Sequence, residues 1–400
     1  MDKYFEKAKE VVLKLKSSGY DSYFVGGYIR DKLLGIPSND IDITTNATPN
    51  EVIALFSNVK ETGKKYGSVT VLKDEFKYEV TTFRNDGEYL DNRHPKKVAY
   101  SKNILDDLSR RDFTINALIM DEHEKISDFY NSIEDLNNKL IRTINNPLKR
   151  FKEDSLRMLR AFRFVSKLGF DIEEKTLEAI KELRYLIKNI SIERVMVELD
   201  KIFKGKYRNK ALKYLITTSV DQELYGLSKG LKYISRTNNE LSFLEGYIIC
   251  YILDDIEDVF RFSNKNKRLI EQVTNLHEVV KEDNFNKFIV YVNGLETSLL
   301  TNKINVILGY QDQEKLIRKL YDELPIKDVC DLAFKGQDIL WLTPLRKKSW
   351  IGIIVDDLKY NVIVGKLPND YEILKKYALK KVKELRLEMG DIKWVNIILI

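Results

Sequence analysis

Gly26-Gly27-Tyr28-Ile29-Arg30-Asp31, followed by Asp40-Ile41-Asp42, is the stretch from which the rest of the 400-residue chain is read. The apolar run Ser22 to Val25 ahead of it reads as a short strand, a helix follows through Leu34, and Ile41 to Thr44 reads as a second strand. Two glycines after a strand let backbone N–H groups approach a phosphate, and the helix behind them adds its positive end. Residues i and i+2 of a strand share a face, so Asp40 and Asp42 project together. Two carboxylates beside a phosphate cradle are a donor set for a pair of Mg2+ ions. Either motif alone is commonplace. Joined by Arg30-Asp31 and a short helix, they are specific.

That order resembles the nucleotidyltransferase superfamily that includes DNA polymerase β. The superfamily usually adds a third carboxylate from a neighbouring strand, and Glu79 in Tyr78-Glu79-Val80-Thr81 is the candidate. Around it, Lys3 to Lys16 carries a helical apolar stripe, and Thr48 caps a helix containing Val52, Leu55 and Phe56. Ser68 to Leu72 and Phe76 to Phe83 alternate like paired strands about the turn Lys73-Asp74-Glu75. Ala117 to Met120 and Ile126 to Phe129 read as a further hairpin or edge strand. After Arg142 the strand signal mostly disappears. Helical periodicity runs over Leu148 to Lys167, Glu173 to Ile187 and Ile192 to Phe203, and recurs to Leu385. Proline is absent between Pro147 and Pro325, as suits a helical array. The expected fold is α+β: a small polymerase-β-like α/β head with a mixed sheet, then an elongated all-α remainder, the boundary lying near Asn145-Asn146-Pro147.

Composition narrows the function. The net charge is +6, and eight basic against two acidic residues between Arg142 and Phe170 give a local excess of the same size. A second basic stretch holds Lys375, Lys376, Lys380, Lys381, Lys383 and Arg386 against Glu372 and Glu384. Two separated basic zones suit an extended polyanion. Two cysteines exclude a disulfide framework and fit a reducing, cytoplasmic setting. With three histidines, a Cys/His zinc site is excluded as well. No apolar run approaches the length of a membrane span, and no protein partner can be inferred.

Two further blocks carry chemistry. In Arg110-Arg111-Asp112-Phe113-Thr114-Ile115-Asn116-Ala117, the planar fork of Arg111 suits triphosphate oxygens, with Asp112 and Asn116 to orient it or to meet ribose hydroxyls. From Arg150 to Arg163, Asp154 and Arg157 are three apart on a helix and share a face, with Glu153 four before Arg157 to hold its guanidinium still. Arg160 and Arg163 continue the spacing, and Met158, Phe162 and Val165 form the docking stripe.

With these blocks in place, the chain resembles the class II tRNA nucleotidyltransferases, the CCA-adding enzyme family, of the short bacterial type. Gly-Gly-x-x-Arg-Asp with Asp-x-Asp resembles the family's metal and triphosphate motif, Arg-Arg-Asp-Phe-Thr-Ile-Asn-Ala its ribose motif, and Glu153, Asp154 and Arg157 its nucleobase template. Ser191-Ile192-Glu193-Arg194 with Glu198-Leu199 resembles the helical motif that braces the template. Thr82-Phe83-Arg84-x-Asp86-Gly87-x-Tyr89-x-Asp91-x-Arg93 resembles the flexible loop, and Gly365-Lys366-Leu367-Pro368-Asn369 the tail motif. The resemblance implies a catalytic head over residues 1–141, a base-recognising neck over 142–205, a body over 206–310 and a tRNA-binding tail over 311–400. It implies Mg2+ on Asp40 and Asp42, a triphosphate cradled by Gly27, Arg30 and Arg111 with Gly26 in support and Arg160 and Arg163 nearby, and CTP, ATP and the tRNA acceptor end as substrates. Departures are Asn131-Ser132 where a Gly-Gly is usual, His94 where an arginine is common, and Gly390 to Ile400, which matches nothing in the family pattern. No His-Asp phosphohydrolase pattern is present.

Hydrogen bonding explains why such a template takes C and A. Both bases present an amino donor beside a ring-nitrogen acceptor. An aspartate accepts and an arginine donates, so Asp154 and Arg157 complement both. Uracil and guanine reverse the pattern, and leaving buried polar groups unpaired discriminates by on the order of 10⁴-fold in favourable cases. The alternatives are an A-only, CC-only or poly(A)-adding enzyme of the same family, and a non-catalytic RNA-binding protein. The retained loop argues against CC-only addition. The intact Asp40, Asp42, Asp154 and Arg157 argue against a decayed site.

Overall fold

The chain is described by a computed structural model over residues 3–38, 40–86, 98–254, 256–342 and 348–388. The loop residues Gly87, Tyr89, Asp91, Arg93 and His94 and the terminal stretch from Gly390 lie outside the described residues. Two compact units are present, Met1–Arg261 and Phe262–Ile400.

The first unit opens on a seven-stranded sheet built from β1 (Ser22–Val25), β2 (Asp42–Thr45), β3 (Val59–Lys60), β4 (Ser68–Lys73) and β5 (Phe76–Thr82), with β8 (Ile119–Met120) and β9 (Ile126–Ser127) closing one side. The order is β3-β4-β5-β2-β1-β8-β9. Only β2 and β5 pair in parallel, so the sheet is mixed as expected. A ribbon of β6 (Arg84–Asp86) and β7 (Val98–Tyr100) stands apart from it; the sequence reading had placed only a loop there. The alternation of β4 and β5 is that of a half-buried sheet. Val69, Val71, Tyr78 and Val80 are buried, and the Tyr78 hydroxyl donates to the Tyr4 carbonyl of the helix Lys3–Ser17. That helix buries Phe5, Ala8, Val11, Val12 and Leu15. Thr48 caps the helix Pro49–Leu55 in a reciprocal box with Glu51.

The helical part departs from expectation in two places. The periodicity of Leu148 to Lys167 predicts a single helix, but there are two, Pro147–Glu153 and Leu156–Leu168. Asp154 between them is extended, with φ −144° and ψ 102°. Its side chain accepts from the Leu156 N–H and starts the second helix. Strand structure also persists past Arg142, since β10 (Leu140–Ile141) pairs in parallel with β11 (Asp171–Ile172). Asn131, in place of the usual glycine, adopts φ +56°, the left-handed conformation that asparagine tolerates best after glycine.

Helix Leu156–Leu168 is buried on nearly every side and packs on Ile192–Lys204. In the second unit Leu324, Ile326, Phe334, Leu358, Val362 and Leu374 form the core. Asn369 in that unit accepts from the Ala333 N–H and donates to the Asp331 carbonyl, each at 2.8 Å. No helix among the described residues is long and apolar enough to cross a membrane.

The crossing of helices Leu156–Leu168 and Ile192–Lys204 requires Gly205. A Cβ there would lie 2.0 Å from Ser166 Oγ and 2.6 Å from the Ser166 carbonyl carbon. Gly205→Ala is expected to cost about 1–3 kcal/mol of stability by overpacking, measured as a lower urea midpoint at unchanged slope. A midpoint equal to the parent's would show that the two helices part without penalty.

Candidate active site

β1 and β2 run antiparallel with Val25 opposite Asp42, which places the glycine turn beside the carboxylates. Gly26 has φ +81°, and a Cβ on it would lie 3.1 Å from Arg111 Nη1. The positive φ favours glycine, and a Cβ there would also crowd Arg111. The turn opens a cavity of about 530 Å³. Its wall brings together Gly26, Gly27, Arg30, Asp40, Asp42, Arg111, Asp112, Asn116, Asp154, Arg157, Arg160 and Arg163. Of the residues singled out in the sequence, Glu79 and Glu153 are not on the wall. Asp42 is the first residue of β2, and Asp40 precedes the strand.

Asp42 is the electrostatically stressed group. Burial, then the charge of Asp40, push its carboxyl up to about 7, with a smaller push from Glu79; Arg111 pulls the other way. Glu79 is exposed and directly opposite Asp42 in the β2–β5 register. A carboxylate pushed up by burial and neighbouring charge is stabilised in its charged form by a nearby cation. Among the described residues no three His, Cys, Asp or Glu side chains gather into a ready-made metal cage. A pair of carboxylates is what Mg2+ uses when substrate phosphates complete its shell, so Asp40 and Asp42 fit that ion.

Along the wall, one chain of charged and polar contacts fixes the arginines. Lys167 Nζ reaches Asp31 Oδ2 at 2.8 Å. Asp31 Oδ1 accepts from Arg30 Nε at 2.8 Å, Arg30 Nη1 donates to Asn116 Oδ1 at 2.5 Å, and Asn116 Nδ2 donates to Asp112 Oδ1 at 3.0 Å. Asp112 Oδ2 accepts from Arg160 Nε at 2.7 Å. Burial alone would raise the Asp112 carboxyl, but Arg160, Asn116 and the Phe113 N–H outweigh it and hold it well below the usual range. Arg160 is raised in turn, chiefly by Asp112. Burial lowers Arg163, against the pull of Glu198, whose Oε1 lies 3.6 Å away. The guanidiniums of Arg30, Arg163 and Arg160 lie 5.2, 5.3 and 5.7 Å from the centre of the Phe164 ring.

A second anchor is Asp107, fully buried. Its Oδ1 takes both Nε and Nη2 of Arg110, and its Oδ2 takes Arg111 Nη2 at 3.1 Å. Burial raises this carboxyl, yet Arg111 and Arg110 together bring it below its ordinary value.

Asp154 and Arg157 both face the cavity, but not as neighbours on one helix face. Arg194 Nη2 donates to both Asp154 oxygens, at 3.1 and 3.0 Å. Arg157 Nη1 donates to the Arg150 carbonyl at 3.0 Å and to Glu153 at 3.1 Å, and Nη2 to the Arg110 carbonyl at 3.0 Å. Glu153 thus holds Arg157 as its spacing suggested. Sequence reasoning gave no role to Asp31, Asp107, Phe164 or Lys167. The signal for Asp107 was its spacing of three and four to Arg110 and Arg111; Lys167 and Asp31 meet across 136 positions, which no local pattern reveals.

A profile described as Poly A polymerase head domain matches residues 22–142, and one for tRNA nucleotidyltransferase domain 2 matches 255–378. The CCA-adding enzyme of Oceanobacillus iheyensis is 38% identical over 391 residues, covering 94% of this chain and 97% of the relative. That of Bacillus pumilus is 36% identical over 392 residues, with the same coverage of each. Among solved structures, the Bacillus stearothermophilus CCA-adding enzyme in complex with CTP has a TM-score of 0.84 at 30% identity, over 97% of this chain and 100% of that one.

The charge state of Asp42 has a measurable consequence. Its folded pKa, about 7, lies above the unfolded value of 3.8. Between those values the folded chain keeps a proton that the unfolded chain has released, so stability falls as pH rises through this window. In EDTA, Asp42→Asn is expected to melt above the parent at pH 7.5 and no higher than the parent at pH 4. Equal melting differences at the two pH values would show that Asp42 ionises normally.

Proposed function

The chain belongs to the CCA-adding enzyme family of tRNA nucleotidyltransferases, and we infer that it adds C, C and A to the tRNA 3′ end from CTP and ATP, releasing pyrophosphate without a nucleic-acid template. The observation that carries this is the meeting, in one cavity, of the carboxylates Asp40 and Asp42, the arginines Arg30, Arg111, Arg160 and Arg163, and the base-reading pair Asp154 and Arg157. Membership implies use of divalent metal ions, and we assign Mg2+. The action on tRNA points to the cytoplasm.

In this reading Gly26 and Gly27 let the triphosphate approach the backbone, and Arg111, held by Asp107, meets its oxygens. Arg30, Arg160 and Arg163, also on the wall, add charge. Asp112 and Asn116, already tied to Arg160 and Arg30, border the ribose. Mg2+ on Asp40 and Asp42, when bound, supplies charge stabilisation to the attacking and leaving oxygens. The tRNA 3′-hydroxyl attacks the α-phosphorus, its proton is lost to solvent or base, and the bond to pyrophosphate breaks.

Base choice falls to Asp154 and Arg157. Arg194 fixes the carboxylate while leaving lone pairs on its oxygens, so Asp154 can accept the amino group of C or A. Arg157, clamped by two carbonyls and Glu153, retains N–H groups for the ring nitrogen. Clamped donors and acceptors discriminate because they cannot turn to suit the wrong base. The division into head, neck, body and tail, and tRNA grip by the tail lysines, belong to the same proposal.

The direct test is purified protein with tRNA lacking its 3′ end, Mg2+ and each labelled nucleotide in turn; failure to incorporate C and then A overturns the reading. Within it, Asp154→Ala is expected to admit UTP or GTP at rates nearer those of CTP and ATP. Arg157→Ala should slow CTP and ATP alike by ~10- to 100-fold, the loss of one charged hydrogen bond. Full discrimination at normal rate in either variant would reduce the pair to a structural brace of the helix break.

A further inference from the structure

Asp42 lies near the middle of the sheet, and the two sides of β2 are not alike. On the β1 side are the glycine turn, the short helix that carries Arg30, and Arg111, whose Nη1 lies 3.1 Å from where a Gly26 Cβ would stand. On the other side the sheet runs out through β5, β4 and β3. Directly opposed residues on adjacent strands share a face. The register places Glu79 opposite Asp42, Thr70 opposite Glu79, and Lys60 opposite Thr70, so one polar row crosses four strands from the carboxylate outward. At ~4.8 Å per strand the row is about 14 Å long. A second row beside it holds Thr44, Thr81 and Ser68.

The reverse face of these strands is closed by Val69, Val71, Tyr78 and Val80, whereas Lys60 and Glu79 are exposed and Thr70 is half-buried. The hydroxyls are ordered: Thr70 Oγ1 lies 2.8 Å from Thr62 Oγ1, and Ser68 Oγ lies 2.9 Å from Thr81 Oγ1. Each still has capacity for another hydrogen bond. None of Lys60, Thr70 and Glu79 lines the nucleotide cavity.

The chemistry says what an open polar row beside Asp42 would hold. In an in-line displacement the attacking oxygen enters opposite the leaving group. Arg30 and Arg111, suited to the pyrophosphate, stand beside the glycine turn on the β1 side, so the attacking strand must come from the β5 side. We propose that this row seats the last nucleotide of the acceptor RNA, with Thr70 hydrogen-bonding its 2′-hydroxyl and Lys60 meeting the adjoining phosphate. The proposal rests on the nucleotidyl-transfer reading above. It gives the sheet a means of telling RNA from DNA, since the 2′-hydroxyl is the group that differs.

The test compares two tRNAs lacking CCA that differ only by a 2′-deoxy substitution at the terminal nucleotide, using the full chain and CTP. In the parent, the deoxy substrate is expected to raise the RNA KM by about fivefold, the loss of one neutral hydrogen bond. Thr70→Val, which keeps the β-branched shape, should raise the KM of the ribo substrate similarly and show no further penalty with the deoxy substrate. Thr70→Ser should keep the parental penalty, and the KM for CTP should not move in either variant. Lys60→Ala should reduce the salt slope of log KM for RNA by ~0.7. A deoxy penalty undiminished in Thr70→Val, or a salt slope unchanged in Lys60→Ala, overturns the seat. Absence of C addition by the parent on the all-ribo tRNA would instead overturn nucleotidyl transfer itself.

Discussion

Arg30 is buried to 3% exposure, Asp31 and Asn116 take its N–H groups, and the rest of the site hangs on that arrangement. Breaking a buried pair from one side leaves an uncompensated charge, which is far costlier than the pair is worth. Asp31 is also bound by Lys167 and Asn116 by Asp112, so the sheet, the Arg110–Asn116 turn and the helix Leu156–Leu168 are locked through the same few groups. The glycine turn follows from this. Gly26 must leave room for Arg111, and Gly27 begins the short helix that carries Arg30 and Asp31 inward.

The cavity is cationic by design of its sequence. Nine Arg or Lys side chains and five aspartates line it, an excess that an anionic ligand would neutralise. Asp107, Glu153 and Glu198 support arginines from outside the wall. Like charges so close need separators, and Phe164 is one. Its ring, near the guanidiniums of Arg30, Arg160 and Arg163, offers each a favourable quadrupole while keeping them apart. An apolar side chain thereby holds open a polar space.

Much of this was legible in the chain. The glycine pair, the Asp-x-Asp, the arginine blocks and the alternating strands β4 and β5 depend on local conformation, and local conformation leaves short-range patterns. What escaped depends on partners far away in sequence. Lys167 looked like one more basic residue on a helix until Asp31 met it. The ribbon of β6 and β7 pairs across the family's loop, and short strands flanking a long polar connection carry little periodic signal. The parallel pairing of β2 with β5, which builds the polar row beside Asp42, is a topological fact that alternation alone does not specify.

The break at Asp154 is the most instructive of these. A spacing of three residues fits one helix face, and nothing between Arg150 and Arg163 contains the glycine or proline that would announce an interruption. Two short-range bonds and one long-range bond decide it. Asp154 accepts from the Leu156 N–H as an N-terminal cap does, Arg157 N–H returns to the Asp154 carbonyl, and Arg194, forty positions on, takes the carboxylate. In an unbroken helix the Asp154 carboxylate would point back along the preceding turn. Extended backbone turns it instead toward Arg194 and the cavity, while Arg157 stays on the helix that follows. In the proposed reading the two groups would meet a base from separate segments, each fixed by its own partners, and a donor and an acceptor held independently can match two adjacent positions of a base edge without satisfying one another first.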